Sequence, residues 1–266
     1  MTEPEIFTLY RGHAPLLVSV PHAGQLIAPH LRGRLVERAL EVEDTDWHLE
    51  QIYAFVRELG ASLIVPQHSR YVIDLNRPPE NTPMYSGVNN TELCPTRFFT
   101  GEPLYAQAQE PDPVEVEQRR ARYWQPYHNA LGDELARVKA QHGHVVLFDG
   151  HSIKGVLPWL FDGQLPDLNL GTVSGTSCAP SLSQSLVDVL AAQSQFTWVA
   201  DGRFKGGYIT RRYGAPAQGI HTVQLEKCWG TYMADVPPYL ADSQRVAKLT
   251  PVLRALVQVM LAWRPQ

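Results

Sequence analysis

Three short apolar runs in this chain lead directly into side chains that bind metal ions or assist metal chemistry. The runs lie at 16–20 (LLVSV), 145–150 (VVLFDG) and 221–226 (HTVQLE), and they lead to His22, His151 and Glu226. Apolar runs of this length, bounded by Pro or Gly, are typical of buried strands. In open α/β sheets the functional residues gather at the carboxyl ends of the strands. The sequence therefore predicts that two imidazoles and one carboxylate converge at one edge of a sheet.

Strand patterns alternate with helical patterns along the whole chain. We predict strands at 16–20, 62–65, 71–75, 145–148, 168–173, 197–200 and 221–226, and helices at 46–59, 114–141, 181–193 and 243–263. Pro126 and Pro251 predict a kink or a break within two of these helices. The alternation predicts an α/β fold, a three-layer α/β/α sandwich around a mixed, largely parallel sheet. We see no repeat and no linker, so we expect one catalytic domain over residues 1–266.

Two long segments of the chain lack both helical and strand periodicity. Segments 76–113 and 201–221 are expected to form walls of a substrate site, since long loops in compact domains are commonly functional.

The net charge of −4 without a basic run argues against nucleic-acid binding. The sequence contains no run of 18 consecutive apolar residues, so it predicts no membrane-spanning segment. The N-terminus lacks a signal-peptide pattern, and the three cysteines have no CxxC spacing, so we expect a cytoplasmic protein.

The two strand-end histidines predict a metal site that still needs a third ligand. His22 lies in a Pro-His-Ala-Gly turn, and His151 follows the Gly that ends its apolar run. A catalytic zinc ion takes about three protein ligands and keeps one position open for water. Asp44 and Asp46 are the candidates for the third ligand. An aspartate at a helix start commonly caps the helix, but only one of the two can do so, which leaves the other free.

Two further acidic residues, Asp149 and Glu226, are candidates for roles at this site. Asp149 is a candidate partner that orients an imidazole. Glu226 ends an apolar strand, where an unpaired carboxylate is costly to bury. It is therefore either one half of a structural ion pair or a general base whose pKa is tuned by its setting.

Arg70 and Arg77 flank the predicted strand at 71–75. Either one alone is readily explained as a solvated surface residue. The planar guanidinium group, however, suits bidentate binding of a carboxylate. Two arginines at the mouth of a metal site predict a small anionic substrate with at least one carboxylate.

Six motifs, taken in order, resemble one family. They are VSVPHAG, DTDWH, SRYVIDLNRP, FDGHS, FKGGYITRRYG and VQLEKCWGTYM. Together they resemble the N-formylglutamate amidohydrolases, the deformylases of histidine degradation, over about residues 16 to 235. That family is similar to zinc carboxypeptidases in fold and in the layout of the active site.

The resemblance implies a role for each candidate. It implies that zinc is held by His22, His151 and an aspartate of the 44–46 pair, for which we choose Asp46. It also implies that Glu226 is the general base, Arg70 the oxyanion-stabilising residue, Asn76 and Arg77 the pair that grips an α-carboxylate, and Arg212 a ligand for a second carboxylate. Gln25 departs from the carboxypeptidase pattern, which has a glutamate three residues after the first histidine, so an aspartate must take that place.

The expected activity is zinc-dependent hydrolysis of N-formyl-L-glutamate to formate and L-glutamate. One alternative is a related metal-dependent amidase for another N-acyl amino acid, and another is a non-catalytic dicarboxylate-binding protein. The ligand types leave the metal open between zinc, cobalt and manganese. No GxSxG or P-loop pattern occurs, which argues against a serine hydrolase and an NTPase.

Overall fold

A seven-stranded sheet forms the centre of the protein in the computed structural model, which describes residues 5–84 and 89–265. Its strands are β1 (Phe7–Tyr10), β2 (Leu16–Ser19), β3 (Ser62–Pro66), β4 (Val145–Ile153), β5 (Leu168–Gly171), β6 (Trp198–Ala200) and β7 (Ile220–Cys228). Their order across the sheet is β1-β3-β2-β4-β7-β5-β6. The four neighbours β3, β2, β4 and β7 run parallel, and so do β5 and β6, whereas β1 is antiparallel to β3 and β5 is antiparallel to β7. The predicted mixed, largely parallel sheet is confirmed.

Helices cover both faces of this sheet, which confirms the three-layer α/β/α architecture. The helices are α1 (Pro29–Arg32), α2 (Leu49–Ile52), α3 (Phe55–Glu58), α4 (Pro113–Arg119), α5 (Gln125–His142), α6 (Pro180–Ala192), α7 (Tyr208–Tyr213) and α8 (Ser243–Ala262). One core layer contains side chains of α2, α3, α6 and α8, and the other contains side chains of α1 and α5. Within the described ranges, none of the helices combines the length and apolar character needed to cross a bilayer.

The alternation of side chains along β4 explains how the sheet carries polar groups at one end. Val145 and Leu147 pack in the core beneath α5, whereas Phe148 packs on the opposite face. Successive side chains of a strand point to opposite faces, so Asp149 and His151 continue the row that Val145 and Leu147 begin. One face of β4 therefore changes from apolar to polar toward its carboxyl end.

The parallel register extends that polar patch onto the neighbouring strand. His151 pairs with Glu226 of β7, and Asp149 pairs with Gln224. Paired residues of neighbouring strands share a face, so these four side chains lie on the same side of the sheet. They are not at the strand ends, as the sequence pattern suggested, because β4 and β7 both continue two residues beyond His151 and Glu226.

The strand predicted at 71–75 is wrong, and β1 was not predicted. Residues 71–75 form turns rather than a sheet strand. Tyr71 and Val72 pack in the core while Asp74 makes polar contacts, so the apolar run reflects burial of an irregular segment. The four residues of β1 are half-buried on an edge strand and give a weak pattern.

Several helix predictions also need correction. The predicted helix 46–59 is two separate short helices, α2 and α3. Neither Asp44 nor Asp46 caps α2, whose N-cap is His48 with a left-handed backbone. A π-helical turn, Arg120–Trp124, separates α4 from α5 just before Pro126, in agreement with the predicted break. Helix α8 continues through Pro251, which lies on its exposed side. The segment 201–221 contains the unpredicted helix α7.

Candidate active site

A cavity opens at the carboxyl ends of β2, β4 and β7, with about 670 Å³ of empty space, part of it open to solvent. It is lined by His22, Asp46, Arg70, Asn76, Arg77, Met84, Asn89, Asn90, Thr91, Phe99, His151, Ser152, Ile153, Leu160, Arg203, Phe204, Gly207, Gln224 and Glu226. Both long segments without periodicity contribute to this wall. The site predicted at the sheet edge therefore coincides with a concave pocket, the usual setting of an enzyme active site.

Three buried side chains in this cavity form a compact ligand set. One ligand atom from each of His22, Asp46 and His151 lies within 4.8 Å of the other two. Oδ2 of Asp46 is 3.2 Å from Nδ1 of His151 and 3.7 Å from Nδ1 of His22. The two rings are close, with centroids 4.9 Å apart. Two nitrogens and one carboxylate oxygen in this arrangement are a ligand set that zinc accepts.

Each imidazole is held on its other side by a carboxylate. Nε2 of His22 is 2.7 Å from Oδ1 of Asp74, and Nε2 of His151 is 3.0 Å from Oδ2 of Asp149. Carboxylates behind histidine ligands fix the ring orientation and raise the basicity of the nitrogen that faces the metal. The sequence suggested this position for Asp149 but not for Asp74, which lies in the segment that we predicted as a strand.

The structure distinguishes the two candidate aspartates. Asp46 reaches both histidines and also accepts a hydrogen bond from the backbone N–H of Ser152, at 3.1 Å. The carboxylate of Asp44 instead accepts bonds from the hydroxyl of Tyr71 and the backbone N–H of Phe99, at 2.8 and 3.0 Å. Asp44 therefore anchors two segments of the cavity wall and lies outside the ligand set.

Gln25, the departure from the carboxypeptidase pattern, is exposed and does not line the cavity. Asp46, further along the chain, offers a carboxylate next to His22 in its place. The backbone N–H of Asp46 donates to the carbonyl of His22 at 3.0 Å, which ties the two positions together. The substitution of an aspartate for the missing glutamate is thus compatible with the fold.

The electrostatic setting favours a cation among these residues. Burial alone would raise the pKa of Asp46, but the hydrogen bonds and charges of His151 and His22 hold that pKa below its usual range. Burial would lower the pKa of His151, but Asp149 and Asp46 raise it to about 10. Carboxylates that stabilise an imidazolium so strongly would also stabilise a divalent cation bound between the rings. The buried N₂O donor set and its flanking carboxylates therefore fit a metal ion.

Glu226 lies beside this ligand set without the ion-pair partner that a structural role would require. It is 7% exposed, and its Oε1 atom is buried without a hydrogen-bond partner among the described residues. Within those residues no cationic group lies within 4.0 Å of its carboxylate. Burial raises the pKa of Glu226 to about 7. A carboxylate with this pKa is well suited to accept and return a proton near neutral pH.

Lys227 follows Glu226 in the chain but points to the opposite face of the sheet. Its Nζ donates to the carbonyl of His151 at 2.7 Å and to the hydroxyl of Tyr53 at 3.0 Å. Burial lowers the pKa of this lysine to about 8. Lys227 therefore braces the backbone of β4 next to the ligand set rather than pairing with Glu226.

Arg70 is buried next to the ligand set and retains donor capacity. Its Nη2 donates to Oδ2 of Asp74 at 2.6 Å, and its Nη1 is 3.9 Å from Oδ1 of Asp46. The guanidinium carbon lies 4.4 Å from the ring centroid of Phe99. Nε is buried without a hydrogen-bond partner in the described part of the chain. A guanidinium has five N–H donors, and Arg70 lines the cavity, so it brings a positive charge with donor capacity to the side of the ligand set.

Arg77 lines the same cavity and is fixed by neutral oxygens. Its Nε and Nη2 donate to the carbonyl and the hydroxyl of Thr91, at 3.0 and 2.7 Å, and Nη1 donates to the carbonyl of Asn76 at 3.0 Å. These bonds use three of its five N–H groups, so two remain without a partner among the described residues. The three bonds thus fix the orientation of the Arg77 guanidinium, and its two remaining N–H groups are available to bind an anion.

Asn76 is engaged by the protein at both ends of its amide. Its Oδ1 accepts the backbone N–H of Ile209 at 2.7 Å, and its Nδ2 lies 2.9 Å from Nε2 of His151 and 3.5 Å from Oδ2 of Asp149. The side chain is 4% exposed. The structure therefore gives this amide partners other than the substrate carboxylate that the sequence resemblance implied.

The close approach of Gly207 to Asn76 gives a first testable prediction. A Cβ added at Gly207 would lie 2.3 Å from Nδ2 of Asn76, whereas one added at Gly132 in α5 would have nothing within 4 Å. Since overpacking typically costs ~1–3 kcal/mol, we expect Gly207→Ala to lower the free energy of unfolding by about that amount and to shift Asn76. Gly132→Ala should leave stability unchanged or raise it by up to ~1 kcal/mol. Urea unfolding of both variants checks this, and equal stability of the two would contradict the proposed close packing.

Arg212, expected to bind a second carboxylate, does not line the cavity. It is an exposed residue of α7 and borders a separate surface depression with Tyr208 and Tyr213. Arg203 and Gln224 are among the cavity residues to which the sequence analysis gave no individual role. Gln224 accepts a bond from the backbone N–H of Gly207 at 2.6 Å. Its position two residues before Glu226 was the available signal, because i and i+2 share a face on a strand.

Comparison with known proteins identifies the family of this chain. The N-formylglutamate amidohydrolase family matches residues 14–233 of the chain. The chain belongs to this family. Curated relatives are the N-formylglutamate deformylases of Pseudomonas putida, 44% identical, and of Pseudomonas aeruginosa, 45% identical. Each alignment covers 97% of this chain and 97% of the relative.

Solved structures show the same fold as this family member. The N-formylglutamate amidohydrolase from Ralstonia eutropha JMP134 aligns with a TM-score of 0.79 at 24% identity, over 96% of each chain. The gene product Atu2144 from Agrobacterium tumefaciens aligns with a TM-score of 0.75 at 19% identity, over 97% of this chain and 96% of that one. The architecture is therefore common to proteins of widely different sequence.

Proposed function

We propose that this protein hydrolyses N-formyl-L-glutamate to formate and L-glutamate at a divalent-metal site formed by His22, Asp46 and His151. The observation that carries the proposal is the position of Glu226, a buried carboxylate with an unpartnered oxygen beside this ligand set. Membership of the amidohydrolase family and the name of both Pseudomonas relatives support the same reaction. We further propose zinc as the metal, and a cytoplasmic role in histidine degradation, as the sequence resemblance implies.

The metal would be held through Nδ1 of each histidine and through the carboxylate of Asp46. When bound, it would supply Lewis acidity that lowers the pKa of water and polarises the formyl oxygen. Asp74 and Asp149 hold the rings from behind, so the nitrogen atoms that face Asp46 stay fixed in direction. The protein thus preorganises the ligand set before the substrate arrives.

Glu226 moves the proton that the reaction requires. A water oxygen attacks the formyl carbon while the Glu226 carboxylate accepts a proton from that water. The same carboxyl then returns the proton to the amide nitrogen as the C–N bond breaks, which releases formate and the free amine of glutamate. Arg70 donates hydrogen bonds to the oxygen on which negative charge develops.

Arg77 binds the α-carboxylate of the substrate in this proposal. Its two remaining N–H groups match the two oxygens of a carboxylate, and Thr91 and Asn76 hold the fork in place. Asn76 links the site to α7 through Ile209, so it positions the residues that surround the substrate.

A charge-conserving substitution tests the role of Arg77. Arg77→Lys keeps one positive charge but loses the planar fork, so we expect KM for N-formyl-L-glutamate to rise by ~10-fold or more, with a smaller change in kcat. Steady-state kinetics of formate release measures both quantities. The exposed Arg212→Lys is the matched control and should behave like the wild type. An unchanged KM in Arg77→Lys would show that the carboxylate binds elsewhere.

Substrate profiling separates the proposed function from its alternatives. We expect the metal-loaded protein to release formate from N-formyl-L-glutamate and to cleave N-acetyl- and N-benzoyl-L-glutamate much more slowly. A preference for an acetyl or benzoyl group would support an amidase for another N-acyl amino acid. Tight binding of glutamate without turnover, and without a need for metal, would support a dicarboxylate-binding protein instead.

A further inference from the structure

We propose that Arg203 binds the side-chain carboxylate of the substrate and thereby makes the enzyme selective for acidic N-formyl amino acids. This inference rests on the proposed function, because it assigns the second carboxylate of the same substrate. Arg203 lies on the segment after β6 and lines the cavity that contains the metal ligand set. The sequence analysis gave this role to Arg212, which is exposed and outside the cavity.

The three arginines of the cavity fall into two groups. Arg70 and Arg77 both lie near Oδ2 of Asp74, at 2.6 and 4.0 Å, and Asp74 also contacts His22. These two cations therefore belong to one network beside the ligand set. A cation on another segment of the cavity wall is therefore a candidate partner for the second carboxylate of the substrate.

Arg203 meets this need from another part of the chain. Its Nη2 donates to the backbone carbonyl of Leu160 at 3.0 Å, and its guanidinium carbon lies 5.3 Å from the ring centroid of Phe204. Phe204 in turn packs edge-on against Phe161, with centroids 6.0 Å apart. Arg203 therefore brings a guanidinium group to the cavity wall from the segment after β6, and such a group suits a carboxylate.

The side chains around Arg203 suit the methylene groups of glutamate. Leu160, Phe204, Ile153 and Phe99 give this part of the cavity an apolar lining. Apolar walls exclude water and strengthen the attraction between the guanidinium and a carboxylate. A neutral amide in place of the carboxylate would leave the guanidinium charge without an anionic partner in this apolar setting, which is the basis for selectivity.

The test compares N-formyl-L-glutamate with its neutral isostere N-formyl-L-glutamine. In Arg203→Met we expect kcat/KM to fall by ~10²-fold for the glutamate substrate and by less than ~3-fold for the glutamine substrate. Arg212→Met is the matched control and should keep the preference of the wild type. Arg203→Lys should recover part of the activity, because it restores the charge without the fork. Melting temperatures of all variants confirm that they fold.

Two results of the kinetic comparison would overturn the inference. Equal losses on both substrates would mean that Arg203 only supports the fold of the cavity, and an intact preference in Arg203→Met would mean that it does not contact the carboxylate. If the wild type cleaves neither substrate, the proposed function fails, and calorimetry then decides the inference separately. In that case the wild type should bind L-glutamate more tightly than L-glutamine, and Arg203→Met should lose this difference. No difference in the wild type would overturn the inference as well.

Discussion

Replacing Glu226 with glutamine is expected to lower kcat for N-formyl-L-glutamate by ~10²–10⁴, the usual contribution of a general base. The substitution keeps the volume of the side chain but removes its ability to accept the proton of the attacking water. KM should change much less, because Glu226 acts on the water and the leaving nitrogen rather than on the carboxylates. Single-turnover and steady-state measurements of formate release give both constants.

The stability of the same variant separates the two readings of Glu226. A buried ion pair that loses one partner typically costs ~3–5 kcal/mol. The described structure places no cation within 4.0 Å of Glu226, so we expect the melting temperature of Glu226→Gln to stay close to that of the wild type. A folded, metal-replete variant with near-normal turnover would refute the proposed mechanism.

Glu134 provides the matched control, since it is a buried glutamate that does have partners. Its carboxylate accepts bonds from Arg137 and from the hydroxyl of Ser62, the latter at 2.6 Å. We expect Glu134→Gln to lose ~1–3 kcal/mol of stability, because these donors lose a charged acceptor. Its kcat should be unchanged because Glu134 lies outside the cavity. The two variants should therefore show opposite patterns in activity and stability.

Replacing Arg70 with lysine is expected to lower kcat by ~10²–10³, the range found when an oxyanion donor is removed. Lysine keeps a positive charge opposite Asp74, so the buried pair is not broken outright. It loses the planar guanidinium with its two Nη groups, which in this proposal donates to the developing negative charge. We expect kcat and kcat/KM to fall together, which is the signature of an interaction made in the transition state.

Arg119 is the matched control for this second substitution. It is a buried arginine whose Nη1 donates to the carbonyl of Val72 and the hydroxyl of Tyr105, at 3.1 and 3.0 Å, and it does not line the cavity. Arg119→Lys should reduce stability and leave kcat unchanged. A near-normal kcat in Arg70→Lys, with normal metal content, would remove Arg70 from the catalytic group.

The parts of the fold that could be predicted are those that a continuous apolar run specifies. β2, β4 and β7 are almost fully buried: β2 and the first half of β4 are largely apolar, whereas β7 alternates apolar and polar side chains. The polar residues His22, His151 and Glu226 gave the location of the site. The sequence did not show that β4 and β7 extend beyond His151 and Glu226. The backbone hydrogen bonds of a sheet form beside polar side chains as readily as beside apolar ones.

The parts that failed depend on contacts between distant segments. The run at 71–75 is apolar because it is buried, but its backbone bonds go to other segments, for example from Asp74 to the carbonyl of Leu93. The role of Asp74 behind His22 is invisible until those segments meet. Arg203 and Arg212 lie nine residues apart in one segment, but Arg212 lies on the exposed side of helix α7 whereas Arg203 precedes this helix and lines the cavity. The single domain over residues 1–266 stays a prediction.

A metal titration of the purified protein tests the central claim most directly. Stripped protein should gain formate-releasing activity in proportion to added zinc and reach its maximum at one equivalent per chain. Asp46→Ala should bind no metal tightly and show no activity at that ratio, while Asp44→Ala, which lacks only the anchor to Tyr71 and Phe99, should still bind one equivalent. Full turnover of N-formyl-L-glutamate by the stripped protein, or a full equivalent of metal in Asp46→Ala, would contradict the account.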